Sequence, residues 1–482
     1  MQELIQQIKQ LEELSNQLEV SEFERENTLK QVSAYTNQFI NQLPVVKAFN
    51  EASKPSCGLE INNIKKSLHQ LLEIYQKEVV EKGIIAASGG HLGYIPGGGI
   101  FNASIADFLA AVTNPYAGIF YASPGAVTIE NEVIDWLKKV FDFPKSAVGN
   151  LASGGSISNL IALTAARDKH QIKNEKITKS VIYLSVQVHH CIQKALRIIG
   201  LEDVIIRYVE LDEKHKMKID VLEQLVENDK ANNLNPFLVV ASAGTTDTGA
   251  IDPLDEIATI TKKNKLWFHV DAAYGGFFIL TSKKALFKGI EKADSLVIDP
   301  HKGMFLPYGL GAVLIKDKEA VFHSNHYLAN YMQDAQNDDL SYSPANVSPE
   351  LTKHFRGLRL WLPLQLHGIE PFVACLEEKL LLTTYFRKKL VEMGFNVGPT
   401  PDLSVSYFWY PFKENENEQN KLLIDAIHKD GSVFLSSSII NEKFVIRMAI
   451  LSFRTKLSTI DRALTMIKSS LEKYKKELFK TR

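Results

Sequence analysis

LWFHVDAAYGG (266–276) and DSLVIDPHK (294–302) decide the architecture. Each is a short apolar run that closes on a charged residue beside Gly or Pro: Asp271 in the first, Lys302 in the second. Apolar runs of that length, bounded by turn residues, read as strands buried on both faces. Working outward, SVIYLS (180–185), VIIRYVEL (204–211), PFLVVASAG (236–244) and GAVLIK (311–316) read the same way. Helical patterns at 156–169, 219–228 and 254–263 separate them. Strands alternating with helices predict an α/β domain with a largely parallel sheet covered on both sides. In such sheets ligands sit beyond the carboxyl ends of the strands, so the residues just after each strand are where chemistry is expected.

The flanks differ from this core. Leu4, Ile8, Leu11, Leu14 and Leu18 recur at helical spacing, and a second helix is expected over 61–82 through Ile64, Leu68, Leu71, Leu72 and Tyr75. Amphipathic helices without a core of their own need a partner surface, either the body of the chain or a second subunit. After residue 362 the chain turns helical, then supplies VSYFWYPF (405–412), SVFLSS (432–437), FVIRMAIL (444–451) and a final helix from about 459. That pattern predicts a small α+β domain with an antiparallel sheet. The expected organisation is a helical segment over 1–85, a large domain over 86–362 and the small domain over 363–482. QDAQNDDLSYS (333–343) suits a lid, and KENENEQNK (413–421) a solvated loop.

Composition narrows the partners. The 482 residues exceed one ordinary core, and 45% apolar with 23% charged residues is globular composition. A formal net charge of -1 gives no electrostatic reason to expect nucleic acid or an acidic membrane. No apolar run approaches the roughly 20 residues that span a bilayer. The acid-bearing N-terminus suits neither a secretion signal nor a transit peptide. Three scattered cysteines suggest neither disulfides nor a metal site, and fit a reducing cytoplasm.

Taken in order, the strand ends collect a chemical set. ASGGSISN (152–159) offers backbone N–H groups, hydroxyls and the positive end of a helix dipole, an anion site suited to phosphate. It is neither a P-loop nor a G-x-G-x-x-G turn, and a Ser/Gly turn of this kind often only caps a helix. His189 and His190 follow the next strand, and in extended chain at most one of them faces the site. AGTTDTG (243–249) is a hydroxyl-rich turn after a buried strand, suited to contact a phosphate or to cap a helix. Asp271 is costly to bury without a cation, and Lys302 rarely buries unpaired. Desolvation is expected to lower the pKa of Lys302, as a Schiff-base nucleophile requires.

SPGAVTIENEVIDWL (123–137), ASGGSISN, the His189 segment, HVDAAYGG (269–276), DPHKG (299–303) and FRGLRLWL (355–362) together resemble the group II decarboxylases that depend on pyridoxal 5'-phosphate (PLP). That family includes the aromatic-L-amino-acid, histidine and glutamate decarboxylases. The resemblance spans nearly the whole chain. It implies the aspartate-aminotransferase-type fold (fold type I), a homodimer with active sites at its interface, and PLP carried on Lys302. By the same resemblance Asp271 would keep the pyridine nitrogen protonated, and His189 would stack on the ring beside the substrate carboxylate. Gly155, Ser156, Thr246 and His301 would hold the phosphate end. Where relatives often carry a neutral Asn near the lysine, this chain has Asp299, an acid that would repel a phosphate. Tyr342 is the expected lid proton donor, with Tyr331 as the other candidate. Gly97, in GGHLGYIPGGG (89–99), falls in the segment that lines the family's side-chain pocket, although six glycines also permit tight backbone packing. Arg447 resembles a family arginine near the active-site mouth, with an interface salt bridge as its other role. Tyr94, Ile95 and Phe101 suggest an apolar lining, which favours an aromatic substrate. The implied reaction is decarboxylation. The same residues would also serve aromatic-aldehyde synthesis, transamination or carbon–carbon lysis, and a non-catalytic scaffold on this fold is the rival of another class.

Overall fold

The computed structural model describes residues 1–56, 58–325 and 343–480. The N-terminal part is helical: α1 (Gln2–Ser15), α2 (Glu22–Gln42), α3 (Leu68–Tyr75), α4 (Phe101–Thr113) and α5 (Pro124–Val140). An alternating core follows, with β1 (Val148–Ala152), α6 (Gly155–Lys169), β2 (Ser180–Leu184), α7 (Cys191–Ile198), β3 (Ile205–Tyr208), α8 (Ile219–Ala231), β4 (Asn235–Ser242), α9 (Leu254–Asn264) and β5 (Trp267–Asp271). It is completed by β6 (Ser295–Ile298), the single turn α10 (Pro300–Gly303), β7 (Gly311–Ile315) and α11 (Lys318–Asn325). The remainder is α12 (Gly357–His367), α13 (Glu370–Glu392), β8 (Asn396–Val397), β9 (Val405–Trp409), α14 (Glu416–Asp430), β10 (Ser436–Ile440), β11 (Lys443–Ala449) and α15 (Leu457–Lys480).

Seven strands form the main sheet in the order β1-β7-β6-β5-β4-β2-β3. Pairings from β6 to β3 are parallel, and β7 runs antiparallel to both β1 and β6. Alternate residues of each strand serve opposite faces. Phe268, Val270, Leu296 and Ile298 enter one core, and Trp267, Val297 and Val313 enter the other with α6 and α7. His269 and Asp271 share the Trp267 side, which puts two polar groups of β5 under α6. A separate antiparallel sheet, β10-β11-β9-β8, packs with α13, α14 and α15 around Phe386, Phe408, Ile446 and Ile467.

Several boundaries move from their sequence expectation. The helix expected over 61–82 begins only at Leu68, because Ser67 and Gln70 form a reciprocal capping box. Upstream, the Asn62 side chain accepts from Ile64 N and bends the chain into a turn. The strand expected over 294–302 ends at Ile298: Asp299 caps a helical turn opened by Pro300, so Lys302 lies in that turn, past the strand. Residues 432–435 do not begin a strand of the small sheet. Phe434 instead bridges to His91, and pairing with β11 starts at Ser436. The stretch 413–421 becomes helical from Glu416. The expected lid, 333–343, lies outside the described residues except for Ser343.

Candidate active site

Beyond the carboxyl ends of β2, β4, β5 and β6 lies a cavity of about 260 Å³. It is bordered by the Ser153–Ser156 turn, His189, Thr246, Asp271, Asp299, His301 and Lys302. Gly155 and Ser156 open α6, so unpaired backbone N–H groups and the positive helix end are offered to an anion there. Thr246 lines the wall, and its carbonyl oxygen accepts from Arg447 Nε at 2.8 Å. His189 borders the cavity while His190 turns to solvent, the two rings 4.1 Å apart. Burial pushes the His189 pKa down, against the pull of Asp271, which leaves a neutral ring at neutral pH.

Asp271 is only 8% exposed, and both its oxygens have donors. Ala273 N donates to Oδ1 at 3.0 Å and Asn159 Nδ2 to Oδ2 at 3.1 Å. The donors behind Asn159 run in one direction. Its Nδ2 is committed to Asp271 and Cys191, so its Oδ1 accepts from His269 Nε2 at 2.7 Å. His269 Nδ1 then accepts from the Ser295 hydroxyl, whose oxygen accepts from Trp267 Nε1, both at 2.8 Å. One neutral tautomer satisfies this chain, and burial pushes the His269 pKa down to about 4. The fully buried file of Trp267, Ser295, His269 and Asn159 therefore presents Asp271 as a fixed acceptor. Sequence reading missed Asn159 and His269. The available signal was a polar residue alternating with Asp271 on an otherwise apolar strand.

Lys302 corrects one expectation outright. Burial does pull its pKa down, yet the charges of Asp299 and Asp271 and the hydrogen bond to Asp299 outweigh it, so the ammonium is favoured. The Nζ to Asp299 Oδ2 distance is 3.0 Å. His301 donates from Nδ1 to the Leu310 carbonyl at 2.7 Å and turns Nε2 toward Asp299, 3.7 Å away.

Other expected residues sit elsewhere. Gly97 is buried behind the lysine turn: a Cβ there would lie 2.2 Å from the His301 carbonyl oxygen. It permits backbone contact and does not border the cavity in this chain. Tyr94 and Phe101 are exposed, and Ile95 belongs to the core. Arg447, 3% exposed, ties the small sheet to the cavity wall through Thr246, Gly93 and Ser436. Tyr342 and Tyr331 lie outside the described residues. No cluster of His, Cys, Asp and Glu that could hold a metal occurs among the described residues.

An amine, a fixed carboxylate and an anion cradle around one cavity fit PLP, whose aldehyde, ring nitrogen and phosphate need those three partners. The comparisons agree. Residues 51–410 match the family model described as the pyridoxal-dependent decarboxylase conserved domain. An aromatic-L-amino-acid decarboxylase of Bacillus atrophaeus is 32% identical over 79% of this chain and 81% of its own. A phenylacetaldehyde synthase of Arabidopsis thaliana is 30% identical over 72% of this chain and 76% of its own. The structure of tryptophan decarboxylase from Catharanthus roseus, in complex with L-tryptophan, superimposes with a TM-score of 0.87 at 22% identity, covering 95% of this chain and 99% of that one.

Proposed function

The chain belongs to the pyridoxal-dependent decarboxylase family, and on that premise we propose that it converts an aromatic L-amino acid to its amine and CO2. The observation that carries this reading is the shared cavity of Lys302, Asp271 and the α6 N-terminus. When bound, PLP supplies an electron-poor ring that stabilises the negative charge left on the substrate as CO2 departs. The protein has the remaining tasks. Lys302 would hold the cofactor by its aldehyde carbon, and Asp271 would keep the ring nitrogen protonated. The neutral His189 ring would stack on the cofactor and border the substrate carboxylate. Gly155 and Ser156, at the start of α6, hold the phosphate with Thr246 and His301. Tyr342 returns a proton to the substrate carbon.

Two features favour an aromatic side chain. Relatives carrying that specificity match most of the chain. Among the described residues that line the cavity, Lys302 is the sole lysine or arginine, so a second substrate carboxylate would find no further cationic partner among them. The working form in this reading is a cytoplasmic homodimer. Leu4, Ile5, Ile8, Leu11 and Leu14 on α1, and Phe101, Ile105, Phe108 and Val112 on α4, leave apolar faces that a second copy would cover. No helix among the described residues is long and apolar enough to cross a membrane.

The test is a product assay over tyrosine, tryptophan, phenylalanine, DOPA, histidine and glutamate, following CO2, amine, aldehyde and hydrogen peroxide together. CO2 with equal amine from an aromatic substrate is expected. Aldehyde with peroxide would place the chain with relatives such as the phenylacetaldehyde synthase. Turnover of glutamate alone would overturn the aromatic assignment.

A further inference from the structure

Asp299 has an unusual setting. It is 1% exposed, and its Oδ1 has no hydrogen-bond partner. Gly155 and Gly311 make room for it: a Cβ at the first would lie 2.9 Å from Oδ2, and at the second 2.6 Å from Oδ1. Its geometry relative to Lys302 is fixed by the backbone, because the Asp299 carbonyl accepts from Lys302 N at 2.9 Å and Gly303 N at 3.3 Å. A buried carboxylate held this way needs a cation. The nearest one is the Lys302 ammonium at 3.0 Å.

Of the other groups facing this lysine, Asp271 on β5 also adds its charge in favour of the ammonium, while both its oxygens are already hydrogen-bonded to Ala273 N and Asn159 Nδ2. The rest do not compete for the role. From the β2–α7 connection, burial keeps His189 neutral and pushes the Cys191 thiol up to about 12. On the same turn, burial pushes the His301 pKa down, and its Nδ1 proton is committed to Leu310.

We propose that Asp299 is a positioning residue that captures the Lys302 ammonium and so sets the pH at which this lysine becomes available to an aldehyde. The proposal rests on the reading of Lys302 as the attachment point for PLP. Attachment requires the neutral amine: the ammonium releases one proton to water, the nitrogen lone pair adds to the aldehyde carbon, and one water leaves as the carbon–nitrogen double bond forms. Asp299 opposes only the proton loss. In exchange it holds Lys302 beside the phosphate cradle whenever the amine is free, within reach for recapture.

The experiment mixes cofactor-free full-length protein with PLP, or with pyridoxal, which lacks the phosphate. The rate of adduct formation is followed by absorbance across the neutral-to-alkaline range, and the label is located after borohydride reduction. In Asp299→Asn the rate–pH profile should move down by about 1 unit or more, the size of shift a single close countercharge produces. Attachment at neutral pH should then be roughly ten-fold faster with both aldehydes. A gain with PLP alone would mean that Asp299 acts by repelling phosphate, and would overturn the proposal. So would superimposable profiles. The wild-type profile with pyridoxal decides independently of the variant's folding: it should still rise at the ordinary lysine pKa of about 10.4, and a plateau well below that overturns the idea. No label on Lys302 in the wild-type protein with either aldehyde is a different failure, because it removes the decarboxylase reading itself.

Discussion

Asn159 donates its Nδ2 to Asp271 Oδ2 at 3.1 Å, from a helix that starts at the phosphate-type turn to a strand that ends at the cavity floor. One side chain thus links the two ends of the expected cofactor, and it draws its own orientation from His269.

Removing that link should weaken cofactor retention with little change in fold. Hydrogen bonds to charged groups are worth about 1.5–3 kcal/mol, so Asn159→Ala should raise the PLP dissociation constant roughly ten- to a hundred-fold. Equilibrium titration by absorbance reads this directly, and His269→Phe should reproduce part of it. Unchanged affinity in both variants would reduce the file behind Asp271 to core packing.

Acid should destabilise the protein through its neutral buried histidines. Burial pushes His91 and His269 down to about 4 from an ordinary 6.5. The unfolded chain therefore binds more protons between those values, so stability is fully present above pH 6.5 and is lost as pH falls toward 4. Each histidine contributes on the order of 3 kcal/mol. Urea unfolding at pH 7 and pH 5 should show the loss, and His91→Gln should flatten it. An equal slope in that variant would exonerate His91.

Gly97→Ser should harm the lysine turn and leave substrate choice alone. The added Cβ meets the His301 carbonyl at 2.2 Å, and overpacking of this kind costs about 1–3 kcal/mol. A lower Tm and looser PLP binding are expected. A stable variant with altered substrate preference would return Gly97 to the side-chain pocket.

If α1 packs on a second copy, charges on its apolar face should dissociate the dimer. Ile8→Glu with Leu11→Glu is the variant to examine by sedimentation, since both residues are exposed in the single chain. A full-length dimer unaffected by the pair would assign that face elsewhere.

The proton donor is testable by product ratio. Tyr342→Phe should slow amine release and raise the yield of aldehyde relative to amine. A ratio equal to the wild type would pass the role to another group, with Tyr331 the next to substitute.

The sequence by itself determined the strand–helix alternation, because periodicity and turn residues act between neighbours in the chain. The short apolar runs ending at Asp271 and near Lys302 located the cavity, and the Gly-Gly-Ser turn located the start of α6. Tertiary structure decided what those residues experience. The Lys302 pKa is raised although burial alone lowers it, because the carboxylate of Asp271 reaches it from another strand and Asp299 folds back from the turn before it. The sequence left Gly97 between pocket lining and tight backbone packing, and the contact it makes with the His301 backbone, some two hundred residues away in the chain, is set only by the fold. The file from Trp267 to Asp271 exists only because α6 lies over β5 and brings Asn159 across 112 positions of sequence. Electrostatic fields, steric contact and hydrogen-bond direction depend on distance in space, and only the folded chain sets that distance.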